Sequence, residues 1–294
     1  MDELLAILPA TVRQALQDLP WAQIYEIRLR ANRPVVVSID GRPFVLDKTM
    51  VSGEDLANIL HKAAEYAIYA IMDQMVQGFV TIRGGVRIGL AGELVTEHGN
   101  ITAVKYVSSL CIRIPHQVPN CAYPVLPYLF NHDRPYQTLV VAPPGAGKTT
   151  LLRDLAKQIS AKYPTLNTLV LDERGELAAC YQGENQLDVG DNSDVITGGN
   201  KAFGFVNGLR SLRPDCIITD EIATANDVAM VRSATHSGVI VMASVHAADL
   251  NEAKAKPDIG ELLNGGVFDR YVVLAGGTQV GEVVGVYDRG LRRL

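Results

Sequence analysis

Apolar and charged residues alternate in short runs along the first half of the chain. Residues 25–29 and 34–39 read as two strands, with Asp40-Gly41 as a hairpin-type turn into Phe44-Val45-Leu46. Ser52 followed by Asp55 is an N-cap signal. It opens a helix whose apolar residues Leu56, Ile59, Leu60, Ala63, Ala67, Ile68, Ile71 and Met75 keep helical spacing. After Gly78 come further strand-like runs at 79–83, 86–90, 101–107 and 111–114.

Prolines at 115, 119, 124, 127 and 135, with Asn131-His132-Asp133, mark a change of regime. They predict an N-terminal α+β domain over 1–130 and a second domain over 131–294. In the second part, apolar strand runs at 138–141, 167–172, 216–220 and 239–245 alternate with helix-length segments. That alternation predicts an α/β domain with a buried, mostly parallel sheet between helices. Residues 271–275 and 282–287 read as a terminal hairpin. No internal repeat or low-complexity tract interrupts the chain.

Composition narrows the function classes. A formal net charge of −5 over 294 residues argues against a protein that works mainly by gripping nucleic-acid phosphates. The four cysteines are scattered, none at C-x-x-C spacing, which disfavours a zinc site and suits free thiols. No apolar run approaches the roughly 20 residues that span a bilayer, and the start, Met1-Asp2-Glu3, is acidic. The expectation is a soluble, cytoplasmic protein that reaches a membrane only through partners.

Candidate chemistry begins where the run at 138–141 meets Ala142-Pro143-Pro144-Gly145-Ala146-Gly147-Lys148-Thr149-Thr150 and a helical pattern follows. Strand, glycine-bearing loop and helix start stand in the order that phosphate binding requires. Gly145 and Gly147 let backbone N–H groups turn inward beside Pro144 and Ala146, and the helix N-terminus adds its positive end. Lys148 would reach the β- and γ-phosphates of ATP, Thr149 would ligate Mg²⁺, and Thr150 would touch the α-phosphate. Ala142 replaces the first glycine of the usual pattern, which is acceptable where φ stays negative.

Cys216-Ile217-Ile218-Thr219-Asp220-Glu221 is a buried strand ending in two acids. Asp220 would hold Mg²⁺ through water, and Glu221 would orient or deprotonate the attacking water. An acidic helix N-cap is the plainer alternative. Two more strands end in chemistry: 169–172 runs into Asp172-Glu173-Arg174, and 239–245 into His246. Ligands of open α/β sheets sit at these carboxyl ends, so Asp172, Glu173 and His246 should line the crevice. A lone histidine also serves as an ordinary hydrogen-bonding residue.

Together with Leu209-Arg210-Ser211-Leu212-Arg213-Pro214-Asp215 and Ala234-Thr235-His236-Ser237-Gly238, these stretches resemble the type II/IV secretion ATPase superfamily, and within it a sporulation branch with a short N-terminal domain. Glu26-Ile27-Arg28-Leu29-Arg30, residues 78–89, Asp172-Glu173-Arg174-Gly175-Glu176 and Phe268-Asp269-Arg270-Tyr271-Val272 carry the closer match. The resemblance implies a RecA-like P-loop ATPase domain with a Walker A loop at 142–149, an acidic box at Asp172/Glu173, a Walker B pair at Asp220/Glu221 and a histidine box at His246. It leaves open which of Asp172 and Glu173 is catalytic. It implies a homo-hexameric ring acting as a motor on membrane-embedded channel proteins of a sporulating cell. It also implies phosphate-facing arginines in the N-terminal domain, for which Arg83, Arg87 and Arg113 are the candidates. Solvent-facing strand arginines are the alternative, and action in cis or in trans stays open. The long N-terminal extension and the four-cysteine module of some superfamily members are missing from the pattern. A nucleic-acid-translocating ATPase and a nucleotide-dependent scaffold with little hydrolysis are the competing functions.

Overall fold

The computed structural model describes residues 2–64, 75–76, 78–97, 100–198, 200–276 and 281–294. The chain divides into two compact units, Met1–His116 with Tyr181–Gln186, and Gln117–Cys180 with Leu187–Leu294. Residues 117–130, assigned by the proline pattern to the first part, lie with the second. The reason is packing: Ala122, Val125, Leu129 and Phe130 are buried in the same core as Leu151, Leu155 and Ile159. Prolines punctuate the chain locally, but buried apolar contacts decide which core a segment joins.

The first unit is an antiparallel sheet ordered β3-β2-β1-β6-β5-β4. Its strands are β1 (Ile24–Arg30), β2 (Arg33–Ile39), β3 (Arg42–Val51), β4 (Phe79–Thr81), β5 (Arg87–Glu97) and β6 (Asn100–Arg113). Period-two alternation sends Ile27, Leu29, Val35, Val37, Val80, Ile88, Leu110 and Ile112 into one core. Helices α1 (Asp2–Ile7), α2 (Ala10–Leu16) and α3 (Gly53–Ala63) supply Leu4, Val12, Leu16, Leu56 and Ile59 to that core. The predicted turn is present, with positive φ at Asp40 and Gly41. Ser52 caps α3 as predicted: its hydroxyl accepts the Asp55 N–H at 3.0 Å, and the Asp55 carboxylate accepts the Ser52 N–H at 2.8 Å. The helical stretch predicted through Ala67, Ile68 and Ile71 lies outside the described residues. The runs at 101–107 and 111–114 form one strand, β6, which bulges against β5: the pairing steps from Ala91–Ser109 to Glu93–Lys105, and Tyr106 in the bulge takes a positive φ.

The second unit is a seven-stranded sheet ordered β13-β12-β7-β11-β10-β8-β9. Its strands are β7 (Thr138–Ala142), β8 (Thr168–Asp172), β9 (Ser193–Thr197), β10 (Cys216–Glu221), β11 (Ile240–His246), β12 (Arg270–Leu274) and β13 (Val283–Asp288). All neighbours pair parallel except the β12–β13 hairpin. Both faces are covered, which explains the unbroken apolar runs. Val140, Val170, Ile218, Met242 and Val272 face one core with helix α5 (Lys148–Lys162); the short α4 (Leu126–Leu129) joins them through Leu129. Leu139, Leu171, Ile217, Val241 and Tyr271 face the other, with α6 (Lys201–Ser211), α7 (Ala225–His236), α8 (Leu250–Ala255) and α9 (Pro257–Asn264). No helix among the described residues is long and apolar enough to cross a membrane.

Candidate functional site

Because β7, β8, β10 and β11 run parallel, their last residues, Ala142, Asp172, Glu221 and His246, fall along one edge of the sheet. Register fixes their neighbours: Ala142 lies opposite His246, and Glu221 opposite Ser244. Ala142 is the closing residue of β7 and is fully buried. A strand residue needs no positive φ, which is why the missing glycine leaves the loop intact. The positive φ falls later in the loop, at Gly145 (75°) and Gly147 (93°), and Gly147 stands as the N-cap of α5. That backbone aims N–H groups at the space before the helix, where Lys148, Thr149 and Thr150 form the first turn. Pro144 and Ala146 complete the loop, with Ala146 buried in the core below.

Lys148 is buried. Its ammonium donates to the carbonyls of Ala142 at 3.2 Å and Pro143 at 3.0 Å and meets His246 Nδ1 at 2.8 Å. Burial holds its pKa below the ordinary lysine range, against the pull of Glu221. No carboxylate pairs directly with it among the described residues. A buried cation without an acid partner fits an anionic ligand, and the turned N–H groups and helix end beside it fit the same one.

His246 links the lysine to the acid on β10. Its Nε2 lies 3.1 Å from Glu221 Oε2. Burial first, then the Lys148 charge, hold the imidazole below its usual pKa. A neutral ring suits both contacts, with Nδ1 accepting from Lys148 and Nε2–H donating to Glu221. Arg174, in the turn after β8, reaches Glu221 Oε2 at 3.6 Å. Below Glu221, Asp220 is buried, and burial pushes its carboxyl up to about 6 while Lys201 pulls it back. Beyond Glu221 and His246 lies a cavity of about 210 Å³, lined also by Lys256, Pro257 and Asp258.

The two acids at the end of β8 have different surroundings. Asp172 is fully buried, and its carboxylate accepts four backbone N–H groups, from Glu176 (2.7 Å), Leu177 (2.9 Å), Ala178 (2.8 Å) and Ala179 (3.3 Å). Glu173 is partly exposed and lies 3.6 Å from the Lys201 ammonium. Arg83, Arg87 and Arg113 belong to the first unit. Arg83 is exposed after β4; the Arg87 guanidinium stands 3.6 Å from the Phe79 ring centroid; Arg113 lies 4.0 Å from Glu26.

Lys148, His246 and Glu221 are therefore joined by contact, and Asp220 and Glu173 gather on a residue that sequence reasoning passed over, Lys201. Its one visible signal is a cation at the start of a helix, where the dipole disfavours it. Lys256 was also missed, since its position carries no pattern of its own, and Arg174, though it stands in the Asp172–Glu176 stretch, was not read as a contact of Glu221.

This arrangement, a glycine-turned loop entering a helix beside acids at parallel strand ends, defines a P-loop nucleotide-binding fold. The same fold occurs in the Legionella pneumophila ATPase DotB, with a TM-score of 0.61 at 15% identity, covering 90% of this chain and 76% of that one. It occurs too in the pilus retraction motor PilT with bound ADP, with a TM-score of 0.53 at 15% identity over 90% of this chain and 78% of that one. The RecA-like α/β domain preceded by a smaller α+β unit is thus a fold that this chain shares with these two proteins. Residues 1–294 match the family described as sporulation stage III, protein AA. The chain is 36% identical to stage III sporulation protein AA of Bacillus subtilis (strain 168), over 98% of this chain and 95% of that protein, and it belongs to this family.

Proposed function

We propose that the protein is a Mg²⁺-dependent ATPase and that it works as an oligomeric motor of the secretion type. The observation that carries the reading is the contact chain Lys148–His246–Glu221 at the carboxyl edge of a parallel sheet. The loop amides, the α5 N-terminus and Lys148 would bind the phosphates. Thr149 and Asp220 would hold magnesium, whose charge offsets that of the phosphates when it is bound. Glu221 is set to orient a water and take its proton, and His246 holds Glu221 in line with Lys148, so that a ligand displacing the lysine is felt at the base. Asp172 organises the turn that carries Glu173 and Arg174. The hexameric ring, the channel partners, the place at the cytoplasmic face of a membrane and the arginines Arg83, Arg87 and Arg113 as phosphate contacts are the further parts of this proposal. The net charge of −5 supports a protein substrate or partner over nucleic acid.

The test is phosphate release by the full chain with ATP and magnesium. Glu221→Gln is expected to bind ATP and lose turnover by about 10²–10⁴-fold, the usual worth of a positioned base. Lys148→Ala is expected to lose ATP binding. Wild-type turnover in Glu221→Gln, or no phosphate release by the wild type in any state of assembly, would overturn the reading.

A further inference from the structure

Helix α6 begins on a lysine, the sign of charge that the N-terminal end of a helix repels. Lys201 is buried even so. Its ammonium lies 3.7 Å from Asp220 Oδ1 and 3.6 Å from Glu173 Oε2, and it donates to the main-chain carbonyl of Glu221. One charge thus touches the ends of both β8 and β10 through two ion pairs and one hydrogen bond. A buried ion pair seldom stabilises a fold over a well-packed apolar substitute. A cation kept here against both burial and the helix dipole therefore calls for a use in the site.

We propose that Lys201 is the resident counter-cation of these acids. It is a positioning residue: it keeps Asp220 and Glu173 gathered, and through the Glu221 carbonyl it keeps the end of β10 in place, when no metal ion is bound. This rests on the reading of Asp220 as the acid that serves a nucleotide-bound magnesium ion. With Lys201 present, the acids face the triphosphate already partly balanced, so nucleotide enters with or without the metal. Without it, the same acids repel the phosphates until magnesium intervenes. Lys201 therefore sets how strongly nucleotide binding depends on magnesium.

The experiment measures the affinity of the full-length protein for a fluorescent N-methylanthraniloyl derivative of ATP, once with magnesium and once with EDTA. The ratio of the two affinities is the readout, and it does not require turnover. In Lys201→Met the ratio is expected to grow about tenfold, the size of losing one charge a few ångströms from the acids in a partly buried site. Lys201→Arg, which keeps the charge, should stay near the wild-type ratio; a mere loss of packing would not separate the two variants this way. Equal ratios in wild type and Lys201→Met overturn the proposal. Should Lys201→Met not fold, Lys201→Met/Asp220→Asn removes charge on both sides and is expected to fold; an unfolded double variant also overturns it. A wild type that binds the probe but releases no phosphate refutes the hydrolase reading and leaves the ratios to judge Lys201. A wild type that does not bind the probe at all refutes both.

Discussion

Replacing Asp172 by alanine should unfold the second unit more readily than any change at its exposed neighbour Glu173. The carboxylate is fully buried and accepts three N–H groups within 2.9 Å and a fourth at 3.3 Å. Hydrogen bonds to a charged group contribute about 1.5–3 kcal/mol each, and a buried donor left unpaired costs about 1–3 kcal/mol. The turn can relax and water can enter, and the longest contact counts for little. An expected loss of about 3–5 kcal/mol remains, close to that for breaking a buried ionic network. Asp172→Asn keeps one acceptor oxygen and should lose about half as much. Urea unfolding of the nucleotide-free protein, followed by circular dichroism, measures both. An Asp172→Ala protein within about 1 kcal/mol of wild type would refute the reasoning, because isolated surface changes cost no more than that.

Three further outcomes are expected. The Asp220 carboxyl is raised from 3.8 to about 6 by burial, so its ionised form is disfavoured in the fold. Its contribution to stability is therefore complete below pH 3.8, is lost as pH rises to about 6, and stays lost above. Asp220→Asn should make the nucleotide-free, metal-free protein about 1–3 kcal/mol more stable at pH 7, a gain that thermal unfolding should find shrinking below pH 6. Thr224 caps α7 by accepting the Asp227 N–H at 3.2 Å, and Thr224→Ala should cost about 1 kcal/mol in urea unfolding. Gly208→Ala, a favourable change in most helices, should destabilise by about 1–3 kcal/mol, because its Cβ would stand 2.3 Å from Leu169 Cδ2 on β8. A more stable Gly208→Ala protein would mean that α6 can move off the sheet.

The parallel strands were legible because both their faces are buried: residues 138–141 and 239–245 carry almost no polar residue to hide the signal. β9 was not, since Ser193-Asp194-Val195-Ile196-Thr197 lies at the sheet edge and keeps polar residues facing out. Lys148 and the acids at 220 and 221 could be placed from spacing alone, since loop, strand and helix are contiguous there. Lys201 opens α6 and Asp220 lies near the end of the next strand, β10, so their contact depends on α6 running back beside that strand, which no local pattern encodes. The four amides on Asp172 were invisible for a different reason. A carboxylate at a strand end looks the same in sequence whether it faces a ligand or the turn behind it.

Helix α5 carries two adjacent charges buried on its flank. Arg153 grips the carbonyls of Leu177 and Glu176, both at 2.6 Å, and Asp154 holds the N–H groups of Ala122 at 2.8 Å and Asn120 at 3.2 Å. The chain passes between the two compact units at His116/Gln117, at Cys180/Tyr181 and at Gln186/Leu187. The helix whose first turn carries Lys148 thus also holds two separate segments of the second unit, at Asn120–Ala122 and at Glu176–Leu177. A shift of α5 would therefore be felt in both segments at once, through hydrogen bonds to their main chain.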